Sequence, residues 1–139
     1  MSKSEANKQL VLDFCKTWHT AWAAQDLSSL MDYFTDDIVW QDIPDHTRVG
    51  KQECIDTTVP FFEMCDEVEF DVKNILAGDR IVMTERVDTM VMKDGRRAST
   101  PIMGVFEIEN GKIKVWRDYF DLDMFKSQLE VESAEAATA

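Results

Sequence analysis

Apolar residues recur at helical spacing near the start of the chain. Leu10, Phe14, Trp18, Ala21 and Trp22 define one face and predict an amphipathic helix over residues 7–24. Gln25-Asp26-Leu27-Ser28 breaks the pattern, and Asp26 or Ser28 can cap a second short helix reaching Phe34. Asp36 and Asp37 lead into a strand from Ile38 to Asp42, and Pro44 and Gly50 bound a loop. A third helix is predicted from Gln52 to Met64, bent at Pro60. The period then changes to two. Val68, Phe70 and Val72 alternate with Glu69, Asp71 and Lys73, the mark of a half-buried strand. Gly78-Asp79 predicts a turn, Arg80 to Met92 a long strand, Ser99 to Glu109 another, and Lys112 to Phe120 the last. Asp94-Gly95 and Asn110-Gly111 are hairpin signals between them. Asp121 to Leu129 predicts a terminal helical turn or two, and the Ala/Glu/Ser/Thr-rich tail 130–139 is expected to fray.

Helices first and an antiparallel meander afterwards imply an α+β fold. A strongly curved sheet wrapped around the helices would enclose a pocket, and Gly104, inside a strand, is a candidate bend. The 139 residues suit one domain, with a core over roughly 8–129.

Charge narrows the possible partners. With 27 acidic against 15 basic residues the formal charge is −12. Such a surface repels nucleic-acid backbones and anionic membranes, and no local basic patch is visible to receive an anionic substrate. A neutral organic substrate fits better. No apolar run is long enough to span a bilayer, and Met1 to Gln9 lacks a signal peptide's apolar stretch. Cys15, Cys54 and Cys65 form no C-x-x-C pair, so reduced thiols and a cytoplasmic location are expected. His19 and His46 lie far apart without ligand spacing, so no metal site is expected. Met64, Met83, Met90, Met92 and Met103 read first as core filler.

Strand parity picks out the candidate chemistry. Residues i and i+2 share a face, so Arg86 and Asp88 point the same way, flanked by Thr84 and Met90. Asp118 shares a face with Trp116 and Phe120. An Arg-Asp pair on one strand is most often a solvated ion pair. Large apolar neighbours suggest burial instead, and buried charge must be paired. An arginine fork between two carboxylates satisfies that need, and two carboxylates sharing one proton have pKa values pushed apart, leaving one acid and one base. Opening an epoxide with water requires both. Met90, Ile102, Phe120 and Phe125 are candidates to line an apolar substrate pocket, with Trp40 narrowing its entrance.

Thr84-Glu85-Arg86-Val87-Asp88, Gly104-Val105-Phe106 and Trp116-Arg117-Asp118-Tyr119-Phe120-Asp121-Leu122, with Tyr33-Phe34-Thr35-Asp36-Asp37 upstream, resemble the limonene-1,2-epoxide hydrolase family over roughly residues 8–129. The resemblance implies a cystatin-like cone, in which a curved mixed or antiparallel sheet wraps about three N-terminal helices. It also implies a homodimer with no metal or organic cofactor, and one-step hydrolysis of a small apolar epoxide without a covalent intermediate. By the same resemblance Asp118 is the base that activates water, Asp88 the acid that protonates the epoxide, and Arg86 the bridge.

The chain departs from that family where a tyrosine and, two residues on, an asparagine hold the water. Here the positions read Trp40 and Asp42. A third carboxylate beside Asp88 and Asp118 is expected to add repulsion and couple the titrations. The stretch Asp36 to Pro44 is also similar to the one that carries the base of ketosteroid isomerases, which would make Asp42 a proton-transfer base in an isomerase or cyclase. The isomerase's oxyanion acid has no counterpart near Ile102-Met103-Gly104. Asp42 as a turn residue bonding the backbone near Pro44, and the whole chain as a non-catalytic dimer that binds apolar ligands, are the blander alternatives.

Overall fold

The computed structural model describes the backbone of residues 1–138 and the side chains of residues 1–130. Helix α1, Lys3–Ala24, starts earlier than its apolar stripe because Ser2 accepts a hydrogen bond from the Glu5 amide at 3.2 Å and caps it. Asp26 caps α2, Leu27–Met31, by accepting from the Ser29 amide. This helix ends three residues before Phe34, which opens strand β1, Phe34–Asp42. Asp36 and Asp37 therefore lie within β1 as exposed residues and not ahead of it.

The predicted loop after Pro44 holds a short strand, β2, Thr47–Val49. Helix α3, Lys51–Met64, follows and keeps Pro60 inside it. Four long strands complete the sheet: β3 Cys65–Ala77, β4 Ile81–Met92, β5 Arg97–Glu109 and β6 Lys112–Tyr119. Asn110 and Gly111 both take positive φ, 50° and 74°, which is what the tight β5–β6 turn demands. Helix α4, Leu122–Thr138, runs beyond the predicted one or two turns. The expected fraying of 130–139 falls on side chains from 131 onward, outside the described residues.

The six strands run β2-β1-β6-β5-β4-β3. All neighbours are antiparallel except β1 and β6, which are parallel and in register from Val39↔Val115 to Asp42↔Asp118. The expected α+β architecture is thus a curved, open, mixed sheet packed with four helices. Irregularities in the β3–β4 register at Cys65/Glu67 and Val72/Asn74 help it curve.

The concave face and α1 share one core. Phe14 is completely buried and makes ring contacts with Trp18, Tyr33, Phe34, Phe106 and Trp116. Asn7 turns its amide to the Gly78 and Asp79 carbonyls, tying the first turns of α1 to the β3–β4 turn. The methionines divide by strand parity. Met92 is buried, but Met83 and Met103 are about half exposed on the convex face, contrary to the core reading. Arg86 and Asp88 occupy the inward parity of β4, which sends Met83 outward. Met64, the last residue of α3, is exposed as well.

Candidate active site

Thr84, Arg86 and Asp88 leave β4 on the concave face, and Asp118 leaves β6 on the same face. Strand β5 lies between them, and the register sets Thr84, Gly104 and Asp118 in one row across the three strands. The Arg86 guanidinium, 0% exposed, crosses β5 over Gly104. A Cβ at position 104 would stand 2.4 Å from Arg86 Nη1, 2.8 Å from Asp118 Oδ1 and 2.9 Å from Thr84 Oγ1. The register through Gly104 is unbroken on both sides, and the residue's role here is steric. Its missing side chain is the gap through which the guanidinium reaches the second carboxylate.

Both carboxylates are gripped by the fork. Arg86 donates to Asp88 through Nε at 3.0 Å and Nη2 at 2.8 Å. It donates to Asp118 through Nη1 at 3.1 Å and Nη2 at 2.8 Å. Nη1 also reaches Thr84 Oγ1 at 3.3 Å. Trp116 Nε1 adds a 2.7 Å bond to Asp118 Oδ1, and the Phe70 ring lies 4.9 Å from the guanidinium carbon. Burial opposes the charge on Arg86, but the two carboxylates outweigh it and hold the proton more firmly than usual.

One guanidinium cannot neutralise two buried carboxylates. Burial pushes the Asp88 pKa up to about 6; Arg86 pulls the other way, and Asp118 and Asp42 add to the rise. Asp88 can thus carry a proton close to neutral pH and give it to a bound oxygen.

These carboxylates face a cavity of about 170 Å³, lined mainly by apolar groups. Met90, Ile102, Phe120 and Phe125 all line it, as do Asp88, Asp118, Asp42 and Trp40. The volume lies below the roughly 300–1,000 Å³ usual for ligand pockets, so a small molecule fits. Trp40 lies face to face with Trp116, ring centres 4.7 Å apart and planes 5° off parallel. It forms part of the wall, with little of it exposed.

Asp42 is not a lone third carboxylate. It sits beside Asp118 in the parallel register, and Arg48 Nη2 donates to its Oδ2 at 2.8 Å. Arg48 is 3% exposed, donates through Nε to Thr57 Oγ1 at 3.1 Å, and stacks on Trp40 with its guanidinium carbon 3.9 Å from the ring centre. Burial raises the Asp42 pKa, with Arg48 opposing the rise and Asp118 adding to it. The expected coupling of the carboxylates is present, but the sequence reading missed Arg48. Its signal was the triplet Thr47-Arg48-Val49, a candidate return strand just after the turn that contains Pro44.

His46 lines the cavity beside Asp45 on the turn between β1 and β2, and His19 Nδ1 lies 3.1 Å from the Val68 carbonyl. Cys15, Cys54 and Cys65 are buried free thiols. Among the described residues no group of three or more His, Cys, Asp or Glu side chains is placed to hold a metal ion, and no helix is long and apolar enough to cross a membrane.

Comparison with known proteins shows what the whole chain is similar to. Residues 15–116 match the model of the SnoaL-like domain. The chain is 34% identical over 109 residues to the epoxide hydrolase EphG of Mycobacterium tuberculosis, covering 76% of this chain and 70% of that protein. It superposes on the structure of an LEH-like epoxide hydrolase from M. tuberculosis with a TM-score of 0.74 and 25% identity, over 94% of this chain and 98% of the other. A protein from Catenulispora acidiphila with a ketosteroid isomerase-like fold, solved with trimethylamine, matches with a TM-score of 0.70 and 18% identity, over 83% and 90% of the two chains.

Proposed function

We propose that this chain, which belongs to the SnoaL-like domain family, is an epoxide hydrolase that adds water to a small apolar, terpene-like or cyclic epoxide and releases a vicinal diol. The observation that carries the reading is the single buried arginine gripping two carboxylates at the wall of an apolar cavity. The likeness to M. tuberculosis epoxide hydrolase, in sequence and in fold, supports it.

The proposed reaction is a single displacement. Asp118 takes a proton from water as the water oxygen attacks one ring carbon, and the C–O bond to that carbon breaks. Asp88 delivers its proton to the departing ring oxygen. After turnover Asp118 holds a proton and Asp88 a charge, and exchange between them or with solvent restores the starting state. Arg86 keeps both groups within reach of the same substrate and lowers the cost of the charge that moves between them. Asp42 takes the place of the family's asparagine in holding the water by accepting a hydrogen bond, and Trp40 replaces the tyrosine with a donor-only indole. Met90, Ile102, Phe120 and Phe125 contact the apolar body of the substrate.

We further propose a cytoplasmic homodimer. Met83, Met103, Tyr119 and Leu76 are exposed on the convex side of β3–β6, where Leu76 is in register with Met83 and Met103 with Tyr119. That strip is the candidate contact.

The deciding experiment is incubation of a cyclic terpene epoxide with the protein in water labelled with heavy oxygen. One labelled oxygen in a diol is expected. A second reading, a proton-transfer isomerase or cyclase with Asp42 as base, draws support from the raised pKa of Asp42 at the cavity wall. Deuterium at carbon from an enolisable ketone in deuterated water, with no diol from the epoxide, would replace the first reading with the second. Tight binding of apolar ligands without either reaction would leave a binding module.

A further inference from the structure

Two arginine–carboxylate clusters, one buried and one partly buried, stand side by side at the cavity wall, and the proposed mechanism explains only one of them. The first joins Arg86 to Asp88 and Asp118. The second joins Arg48 to Asp42. A stack of rings connects them: the Arg48 guanidinium lies on Trp40, Trp40 lies on Trp116, and Trp116 donates its indole N–H to Asp118. Strand β2 places Arg48 in register with Trp40, and parallel β1 and β6 place Asp42 in register with Asp118.

We infer that Arg48 is a positioning residue that holds Asp42 as an ionised acceptor for the attacking water, opposite Asp118. The inference rests on the hydrolase reading and deepens it. Neighbouring strands lie about 4.8 Å apart, so two carboxylates aligned on one face can share a single water. Both Asp42 and Asp118 line the cavity. Arg48 engages only Oδ2 of Asp42, and Oδ1 accepts no hydrogen bond from the described residues. An ionised carboxylate can only accept, so Asp42 fixes one water hydrogen while Asp118 receives the other. A protonated Asp42 would offer a donor at the same place and turn the water's lone pair away from the epoxide.

The groups that face Asp42 decide which form it takes. Arg48 from β2 favours the charge, and so does His46 on the turn; burial and Asp118 from β6 disfavour it, and Asp42 and Asp88 from β4 repel one another. Arg48 is the one arginine in contact with Asp42 among the described residues, so its removal tips the balance toward the neutral acid. Thr57 and Trp40 fix the arginine's own direction, which a flexible surface cation would not have.

The test is a double-mutant cycle with pH profiles on a cyclic epoxide. Arg48→Met is expected to lower maximal kcat/KM about 10- to 100-fold, on the scale of a lost charged hydrogen bond. Its acid limb should move to higher pH by about one unit or more, and Arg48→Lys should recover part of both effects. In the Asp42→Asn background, Arg48→Met should cost less than about threefold, because the group through which it acts is already uncharged. That double variant buries no unpaired charge, so it keeps the comparison meaningful if Arg48→Met folds poorly. Equal costs of Arg48→Met in both backgrounds, or an unmoved acid limb with only a lower melting temperature, would overturn the inference and leave a structural ion pair. Carboxyl carbon NMR of Asp42 in wild type and Arg48→Met reads the same effect without turnover. A raised Asp42 titration in the variant, with no diol from wild type, defeats the hydrolase reading but upholds Arg48 as the residue that keeps Asp42 ionised. Diol from wild type with no such rise defeats the role of Arg48 alone.

Discussion

A single methyl group placed at Gly104 should disable the site. In Gly104→Ala the new carbon would stand 2.4 Å from Arg86 Nη1. An ordinary contact needs about 3.5 Å, so the guanidinium must move by roughly 1 Å. The end of a free side chain would swing away at little cost. This one is tied to Asp88 by two bonds and to Asp118 by two more. The Nη1 bonds to Asp118 and Thr84, at 3.1 and 3.3 Å, would stretch past hydrogen-bonding range. Loss of one charged hydrogen bond costs about 1.5–3 kcal/mol and overpacking about 1–3 kcal/mol, so a net destabilisation of about 2.5–6 kcal/mol is expected. For a chain of this length that lowers the melting temperature by about 8–20 °C, and a domain with about 10 kcal/mol of stability stays folded. Misplacing a reacting group by about 1 Å lowers the rate on the order of 10²-fold. The measurements are kcat on a cyclic epoxide and thermal unfolding by circular dichroism. Gly78→Ala is the control, because a Cβ there meets nothing closer than the Ile81 carbonyl oxygen at 3.6 Å. Gly104→Ala with kcat within about threefold of wild type and an unchanged melting temperature would refute the argument that the arginine is held rigidly over position 104.

Asp88→Asn and Asp118→Asn should each lower kcat on the order of 10²–10⁴-fold while the chain stays folded; near-wild-type diol formation by either removes that residue from the mechanism. Asp88 must carry its proton to act as the acid, so kcat/KM should fall as pH rises past about 6, and a limb that falls only on the acid side would reverse the assignment. The same group links to stability: its folded pKa of about 6 exceeds the ordinary 3.8, so its contribution is full below about pH 4 and is lost as pH rises toward 6. Asp88→Asn should flatten that part of the stability profile in pH-dependent urea unfolding. Met83→Glu with Met103→Glu should convert a dimer to monomers in sedimentation at micromolar concentration, and a wild type that sediments as a monomer would dismiss the proposed contact.

Local pattern made much of this protein legible. The stripe from Leu10 to Trp22 marks α1 because a helix repeats every 3.6 residues whatever it packs against. Asn110-Gly111 marks its turn because the backbone there needs two residues that tolerate positive φ. Arg86 and Asp88 had to share a face because strand parity is a property of the chain alone. The motifs around them pointed to Asp118 as their partner, and the structure brings all three into contact.

Other features depend on which distant segments become neighbours. Asp42 stands beside Asp118 only because β1 pairs in parallel with β6, and no local signal carries that register. Strand β2 is three residues long, too short for any periodicity, so Arg48 read as loop until pairing with β1 set it against Trp40 and Asp42. Met83 and Met103 read as core from their chemistry, yet the inward parity taken by Arg86 and Gly104 turned them outward. Gly104 itself read as a bend, since a glycine's use depends on what crosses it. What crosses here is an arginine whose two carboxylates come from strands on either side. The sequence by itself determined the elements, their faces and the identity of the ionisable groups, because these follow from bonded geometry and solvent preference over short stretches. The tertiary structure alone decided that Arg48 neutralises Asp42 and that Gly104 makes room for Arg86, because electrostatic pairing and burial depend on distances that long-range strand order sets.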